Sequence, residues 1–125
     1  MIEPYTMIQA AAILFGAAAV SGLQMAAMRL RGIPHPPAWL VMGHGLLAGT
    51  GLILLAYAAI TMDIPLITRF ALDFFAIAVT AGLIMNLFFH RKSIPLPIPL
   101  MVFHALVAAT GFTLLLIYLC WNFFV

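Results

Sequence analysis

Long apolar stretches alternate with short polar or proline-rich joins along the chain. The apolar stretches cover about residues 5–30, 37–61, 65–89 and 99–122. Each has the roughly 20 residues that an α-helix needs to cross the hydrocarbon core of a bilayer. The joins 31–37 and 90–99 contain several prolines, which lack an amide donor and restrict the preceding residue. The pattern therefore predicts an all-α membrane protein with four transmembrane helices in an up-down bundle.

The composition supports a chain that is dissolved in lipid. Hydrophobic residues make up 66% of the sequence and charged residues 6%, and the mean hydropathy is +1.23. A soluble domain has about a quarter of its residues charged, so this class is excluded. The predicted loops are too short to build a separate site. Any function must lie inside the bundle or on its lipid-facing surface, and the few basic residues give no case for nucleic-acid binding.

The charged residues that remain predict an orientation. Positive charges flank both proline-rich joins, at Arg29, Arg31, Arg91 and Lys92. The other side of the predicted bundle carries Glu3, Asp63 and Arg69, with little net charge. Because positively charged loops are retained in the cytoplasm, we expect a multi-pass protein of the inner (cytoplasmic) membrane. Both joins would be cytoplasmic and both termini outside.

The sequence repeats itself at an offset of sixty residues. Residues 15–55 align without a gap on 75–115, and fifteen of the forty-one pairs are identical. This indicates one membrane domain made by tandem duplication of a two-helix unit, with repeats at about 5–62 and 65–123. Copies of two helices have the same orientation, so a pseudo-two-fold axis along the membrane normal would relate them. In an up-down bundle, helices 2 and 4 then lie diagonally across the core.

The duplication makes His44 and His104 equivalent and predicts that they face each other at the same depth. Each lies about 7 residues, or roughly 10 Å, inside its helix, too deep to reach water easily. Ionisable side chains within membrane spans usually face the bundle interior and have a partner. Small residues expected near this level are Gly22, Gly82, Ala48, Ala108, Gly51 and Gly111. They predict space beside the imidazoles, although small residues also promote simple helix packing.

Paired imidazoles with space around them are suited to a haem whose iron is bound axially by His44 and His104. Arg29 and Arg91 are placed to pair with its propionates. With these residues the chain resembles the small four-helix b-type membrane cytochromes, in which histidines on transmembrane helices bind haem within the bundle. The resemblance implies one haem b and electron transfer. Di-haem members have a second histidine pair toward the other membrane face, which this sequence lacks.

The sequence suggests other roles for the remaining polar residues. His35 lies in the first proline-rich join and His90 at the end of helix 3, so both are expected at the interface rather than as ligands. Asp73 is expected to pair with Arg69, one turn earlier on helix 3. Gln24 and Asn86 are both placed to contact a propionate, a quinone head group or another helix.

The residues thus favour a haem-binding electron carrier or the membrane subunit of a quinol-linked redox complex. Its partners would be other membrane redox subunits or a second copy in a homodimer. Any enzyme would be an oxidoreductase subunit, because no motif for hydrolysis or phosphoryl transfer is present. Two alternatives stay open. One is a cofactor-free accessory or assembly subunit of a larger membrane complex, and the other is a small transporter or pigment-binding subunit.

Overall fold

A computed structural model describes residues 2–125 of the chain as an all-helical bundle. The helices are α1 (Pro4–Leu30), α2 (Ala38–Thr61), α3 (Leu66–Met85) and α4 (Ile98–Phe124). A π-helical turn, Asn86–His90, continues α3. Each of the four is long and apolar enough to cross a membrane. The predicted fold class is confirmed, and the helix bounds agree with the sequence pattern to within two residues apart from the π-turn.

Prolines set where the helices begin. Pro4 is the first residue of α1, Pro37 and Pro65 directly precede α2 and α3, and Pro99 lies in the first turn of α4. Their fixed φ suits the first turn of a helix, where the missing amide donor costs nothing. After α1 ends, Gly32 has a φ of +90°. This left-handed conformation is accessible to glycine at little cost and turns the chain into the join.

The four helices form the expected ring of neighbours. Packing is most extensive within each repeat, between α1 and α2 and between α3 and α4. The two repeats meet along two seams, α1–α4 and α2–α3. Helices α2 and α4 therefore lie diagonally across the bundle, as do α1 and α3. We call the end with the two basic joins the basic end.

The core is densest in the half of the bundle away from the basic end. Phe15 and Phe75, which are equivalent in the two repeats, stack across the bundle with ring centres 3.6 Å apart and planes 1° apart. We call this pair the Phe stack. The two rings lie face to face with almost no offset. Ring electrostatics favour an offset arrangement, so the packing of the helices must hold the rings in this position. Gly51 lies against Phe15 and Gly111 against Phe75, where an added Cβ would sit 3.2 and 3.3 Å from the nearest ring atom.

Candidate functional site

Each repeat fixes one histidine in the same way. The Nδ1 atom of His44 lies 2.8 Å from the carbonyl oxygen of Ala18, and Nδ1 of His104 lies 2.8 Å from that of Ala78. The four residues obey the sixty-residue offset. Because a carbonyl oxygen only accepts hydrogen bonds, Nδ1 carries the proton and donates it. In a neutral imidazole this leaves the lone pair on Nε2 free to bind another group.

The structure brings the two histidines together. Their ring centres are 6.0 Å apart and their planes are inclined by 66°. No described residue makes a hydrogen bond to Nε2 of His44 or His104. Within residues 2–125, every fully buried side-chain nitrogen or oxygen has a partner. The two Nε2 atoms are therefore not enclosed by protein, and both histidines line one cavity.

Glycines on the neighbouring helices set the position of both rings. An added Cβ on Gly22 would lie 3.0 Å from Cε1 of His44, and one on Gly82 would lie 3.3 Å from Cε1 of His104. Both distances are shorter than ordinary van der Waals contact. The imidazoles thus occupy the space that a larger side chain at Gly22 or Gly82 would need. Ser21 adds a difference between the repeats, since its hydroxyl lies 3.3 Å from Nδ1 of His44 and Ala81 is its counterpart.

The cavity beside the histidines extends toward the basic end of the bundle, and we call it the histidine cavity. All four histidines of the chain line it, because the first join brings His35 and the π-turn brings His90 to the same wall. From the sequence both were expected only at the interface. A proline-rich join that folds back over a bundle has no signature in the sequence, so His35 could not have been placed there. The volume of the histidine cavity is about 120 Å³.

The other predicted site residues are distributed more widely. Arg29 lines the histidine cavity, and its Nε donates to the carbonyl oxygen of Leu96 at 2.9 Å. Arg91 is exposed and lines a separate groove between α2 and α3. Several small residues are outside the cavity wall, namely Ala48, Ala108, Gly51 and Gly111. Gly51 and Gly111 serve the Phe stack instead.

The ion pair expected on α3 is not formed. Asp73 and Arg69 are both exposed, and the structure has no contact between their charged groups at ion-pair distance. Residues 2–125 also contain no group of three or more His, Cys, Asp or Glu side chains that could hold a metal ion. His44 and His104 therefore offer two imidazoles, fewer protein ligands than a free metal ion usually takes.

Comparisons with known proteins add no assignment. No protein-family model matches this chain, and no curated protein or solved structure matches it either.

The distance between the two ring centres can be compared with that of two imidazoles bound to one metal. A metal–imidazole bond is about 2 Å, so with about another 1 Å to each ring centre, two opposed rings have centres about 6 Å apart. The observed 6.0 Å agrees with this value. The volume does not yet suffice, because 120 Å³ is below the roughly 300–1,000 Å³ of cofactor pockets. Three flexible side chains line the cavity, Met25, Met85 and Met101, and a cofactor of that size would have to displace them.

Proposed function

We propose that this protein is a multi-pass membrane protein that binds one haem b through His44 and His104 and takes part in electron transfer. The observation that carries the proposal is the matched pair of imidazoles. Each is fixed through Nδ1 by a carbonyl oxygen at 2.8 Å, and the ring centres lie 6.0 Å apart. A hydrogen bond from the second ring nitrogen to a backbone carbonyl is the usual way in which proteins orient a metal-binding histidine.

The chain's own residues would do three things for such a group. The carbonyls of Ala18 and Ala78 hold the imidazoles in the tautomer whose Nε2 can bind iron. Arg29, in the wall toward the basic end, supplies a positive charge for propionates. The Phe stack packs the bundle on the side of the site away from the basic end. Held by His44 and His104, the haem would supply one-electron transfer rather than oxygen chemistry.

The proposed cellular setting follows from the charges at the basic end. Four basic residues lie at or near the two joins there, Arg29, Arg31, Arg91 and Lys92. By the positive-inside bias this end would face the cytoplasm of an inner membrane. The histidine cavity opens toward the same end. Electrons would pass between the haem and either a membrane quinol or a partner redox subunit, and the protein would act alone, as a homodimer or within a complex.

The visible spectrum of the purified protein tests the proposal. Expressed with sufficient haem supply and purified in mild detergent, the protein should show a Soret band and the spectrum of a six-coordinate haem in both redox states. His44→Ala and His104→Ala should each abolish six-coordination, and added imidazole should restore it by filling the vacated place. His35→Ala removes another histidine of the same cavity and should keep the spectrum, because His35 is not one of the two proposed ligands.

Two results would overturn the haem proposal. One is a colourless protein from cells that load other b-type cytochromes. The other is an unchanged six-coordinate spectrum in His44→Ala or His104→Ala, which would show that other residues bind the iron. Recovery with imidazole separates loss of a ligand from failure to fold.

A second candidate function is that of a cofactor-free accessory subunit. The hydrogen bonds from His44 and His104 to Ala18 and Ala78 also favour it, because they join α2 to α1 and α4 to α3. In that case the histidines would serve only to hold each repeat together. A colourless protein that is stable only with a partner complex, and that loses this stability in His44→Ala, would favour the accessory role.

A further inference from the structure

The two seams between the repeats are equivalent by symmetry but differ at the basic end. On the α1–α4 seam, the Nε of Arg29 donates to the carbonyl oxygen of Leu96 at 2.9 Å and ties α1 to the second join. The equivalent positions on the α2–α3 seam are Phe89 and Pro36. A phenylalanine side chain has no donor, so this seam lacks the corresponding bond. Only the α1–α4 seam has this side-chain hydrogen bond.

The backbone also departs from the two-fold symmetry at the α2–α3 seam. The amide of Arg31, at the end of α1, donates to Ala27 four residues earlier at 3.0 Å. The amide of the equivalent Arg91 donates instead to Asn86, five residues earlier, at 2.9 Å. This is the π-turn that ends α3. The first helices of the two repeats therefore end with different hydrogen-bond registers.

The π-turn carries two polar side chains that the first repeat lacks. Asn86 stands where repeat 1 has Ala26, and His90 stands where it has Leu30. Both are partly buried. An amide and an imidazole near the end of a membrane-spanning helix stand out among apolar residues, and polar groups in such helices often mark functional sites. Here both residues lie in the second repeat, at the α2–α3 seam.

A groove opens on the surface at this place, with a volume of about 430 Å³. Its lining residues are Ala38, Val41, Met42, Asn86, His90 and Arg91. Val41, Asn86 and His90 also line the histidine cavity, so the two spaces share a wall. Met42 on the outer edge is 64% exposed on an apolar membrane helix. The groove is therefore open at the outer surface of the bundle, beside exposed Met42 and Arg91, and adjoins the histidine cavity on its inner side.

We propose that this groove, the α2–α3 groove, binds the head group of a lipid-soluble quinone. Such a molecule needs an opening to lipid for its tail, apolar walls for its ring and hydrogen-bond donors for its carbonyl oxygens. Lipid faces the open side, Val41 and Met42 supply apolar wall, and the Asn86 amide and the His90 imidazole are donors. The volume falls within the roughly 300–1,000 Å³ of small-molecule sites. As a partner for electron transfer, the quinone rests on the proposed haem function, whereas its binding depends on the groove alone.

Photolabelling in lipid nanodiscs tests the proposal with the purified protein. A photoreactive benzoquinone with a short alkyl tail is added and activated, and the labelled peptides are identified by mass spectrometry. We expect labels within 38–42 and 86–91, and excess unreactive quinone should suppress them in a saturable way.

The repeat supplies the variants. Asn86→Ala and His90→Leu each install the residue that the first repeat already has at the equivalent place, so a folded helix tolerates both. Loss of one hydrogen bond should weaken binding about ten-fold, seen as a higher quinone concentration for half-maximal labelling. Asn122→Ala makes the same chemical change at the far end of α4, where the side chain bonds only to Tyr118. It should leave labelling unchanged.

The outcomes separate this inference from the haem proposal. Labelling that is not saturable, or that is equal in the native protein and in His90→Leu, would overturn the quinone site. Displacement of the label by anionic phospholipid at the same low mole ratio would also overturn it, because the groove would then be a lipid site. The visible spectrum of the same samples reports on the haem. A haem spectrum without saturable labelling contradicts only the quinone site, and saturable labelling in a colourless protein contradicts only the haem.

Discussion

Gly22 lies so close to His44 that a Cβ added to the glycine would sit 3.0 Å from Cε1 of the imidazole. The same relationship recurs in the second repeat between Gly82 and His104, at 3.3 Å. Since the ring is also held through Nδ1 by a carbonyl, it cannot move away without loss of that hydrogen bond. The two glycines therefore determine where the imidazole rings of the candidate site can lie.

Gly22→Ala and Gly82→Ala should displace the imidazoles and weaken haem binding. Residues that orient a metal-binding histidine typically change metal affinity about 10–100-fold when they are altered, and we expect an effect of this size. The measurement is haem titration of the haem-free protein by absorbance. Gly45→Ala is the control, because nothing lies within 4 Å of its added Cβ and the second repeat already has Ala105 at this place. Equal affinities for all three variants would contradict the prediction.

The Phe stack should make Gly51 important for stability. An alanine Cβ at this position would lie 3.2 Å from three atoms of the Phe15 ring, and that ring cannot retreat because Phe75 lies behind it. Overpacking of this kind costs about 1–3 kcal/mol. Gly51→Ala should lower the free energy of unfolding in detergent, followed by circular dichroism. In Gly49→Ala nothing obstructs the Cβ, so this variant should be as stable as the native protein or slightly more so; a loss equal to that of Gly51→Ala would refute the argument.

Haem binding should stabilise the folded bundle. A ligand that binds only the native state adds about 2.7 kcal/mol when its concentration is a hundred times Kd. Haem added to the haem-free protein should raise Tm in proportion to the logarithm of its concentration. His44→Ala and His104→Ala should lose most of this increase. An increase of the same size in both variants would mean that haem binds elsewhere, for example to the exposed apolar surface.

The proposed orientation can be tested with single cysteines. Cys120 is the only cysteine of the chain, so Cys120→Ser provides a cysteine-free background. In this background Val125→Cys should react with a membrane-impermeant maleimide added to intact cells. Ser93→Cys, in the second join, should react only after the membrane is permeabilised. The reverse pattern would place the basic end outside.

The fold could be predicted from sequence because each of its determinants is local or repetitive. Helix lengths follow from apolar runs between prolines, and the pairing of His44 with His104 follows from the sixty-residue offset together with bundle geometry. No long-range packing detail is needed for either. The approach of Phe15 to Phe75 obeys the same offset and was equally accessible to this reasoning.

What the sequence did not reveal depends on the joins and on single backbone hydrogen bonds. The placement of His35 beside the histidine cavity depends on how a proline-rich join folds. The π-turn differs from an α-helical end by one residue in a hydrogen-bond register. The expected pair of Asp73 and Arg69 failed because spacing by four on a helix permits contact without enforcing it. The replacement of Leu30 by His90 was visible in the repeat alignment and could have indicated the α2–α3 groove.

The Phe stack has a consequence for energy conversion. It packs the core on the side of the histidines away from the basic end, whereas the histidine cavity opens toward the basic end. Moving one elementary charge through the whole membrane potential involves about 2.3 kcal/mol per 100 mV. A site that is entered and left from one side exchanges little of this energy. The protein would then work at nearly the same rate in energised and de-energised membranes.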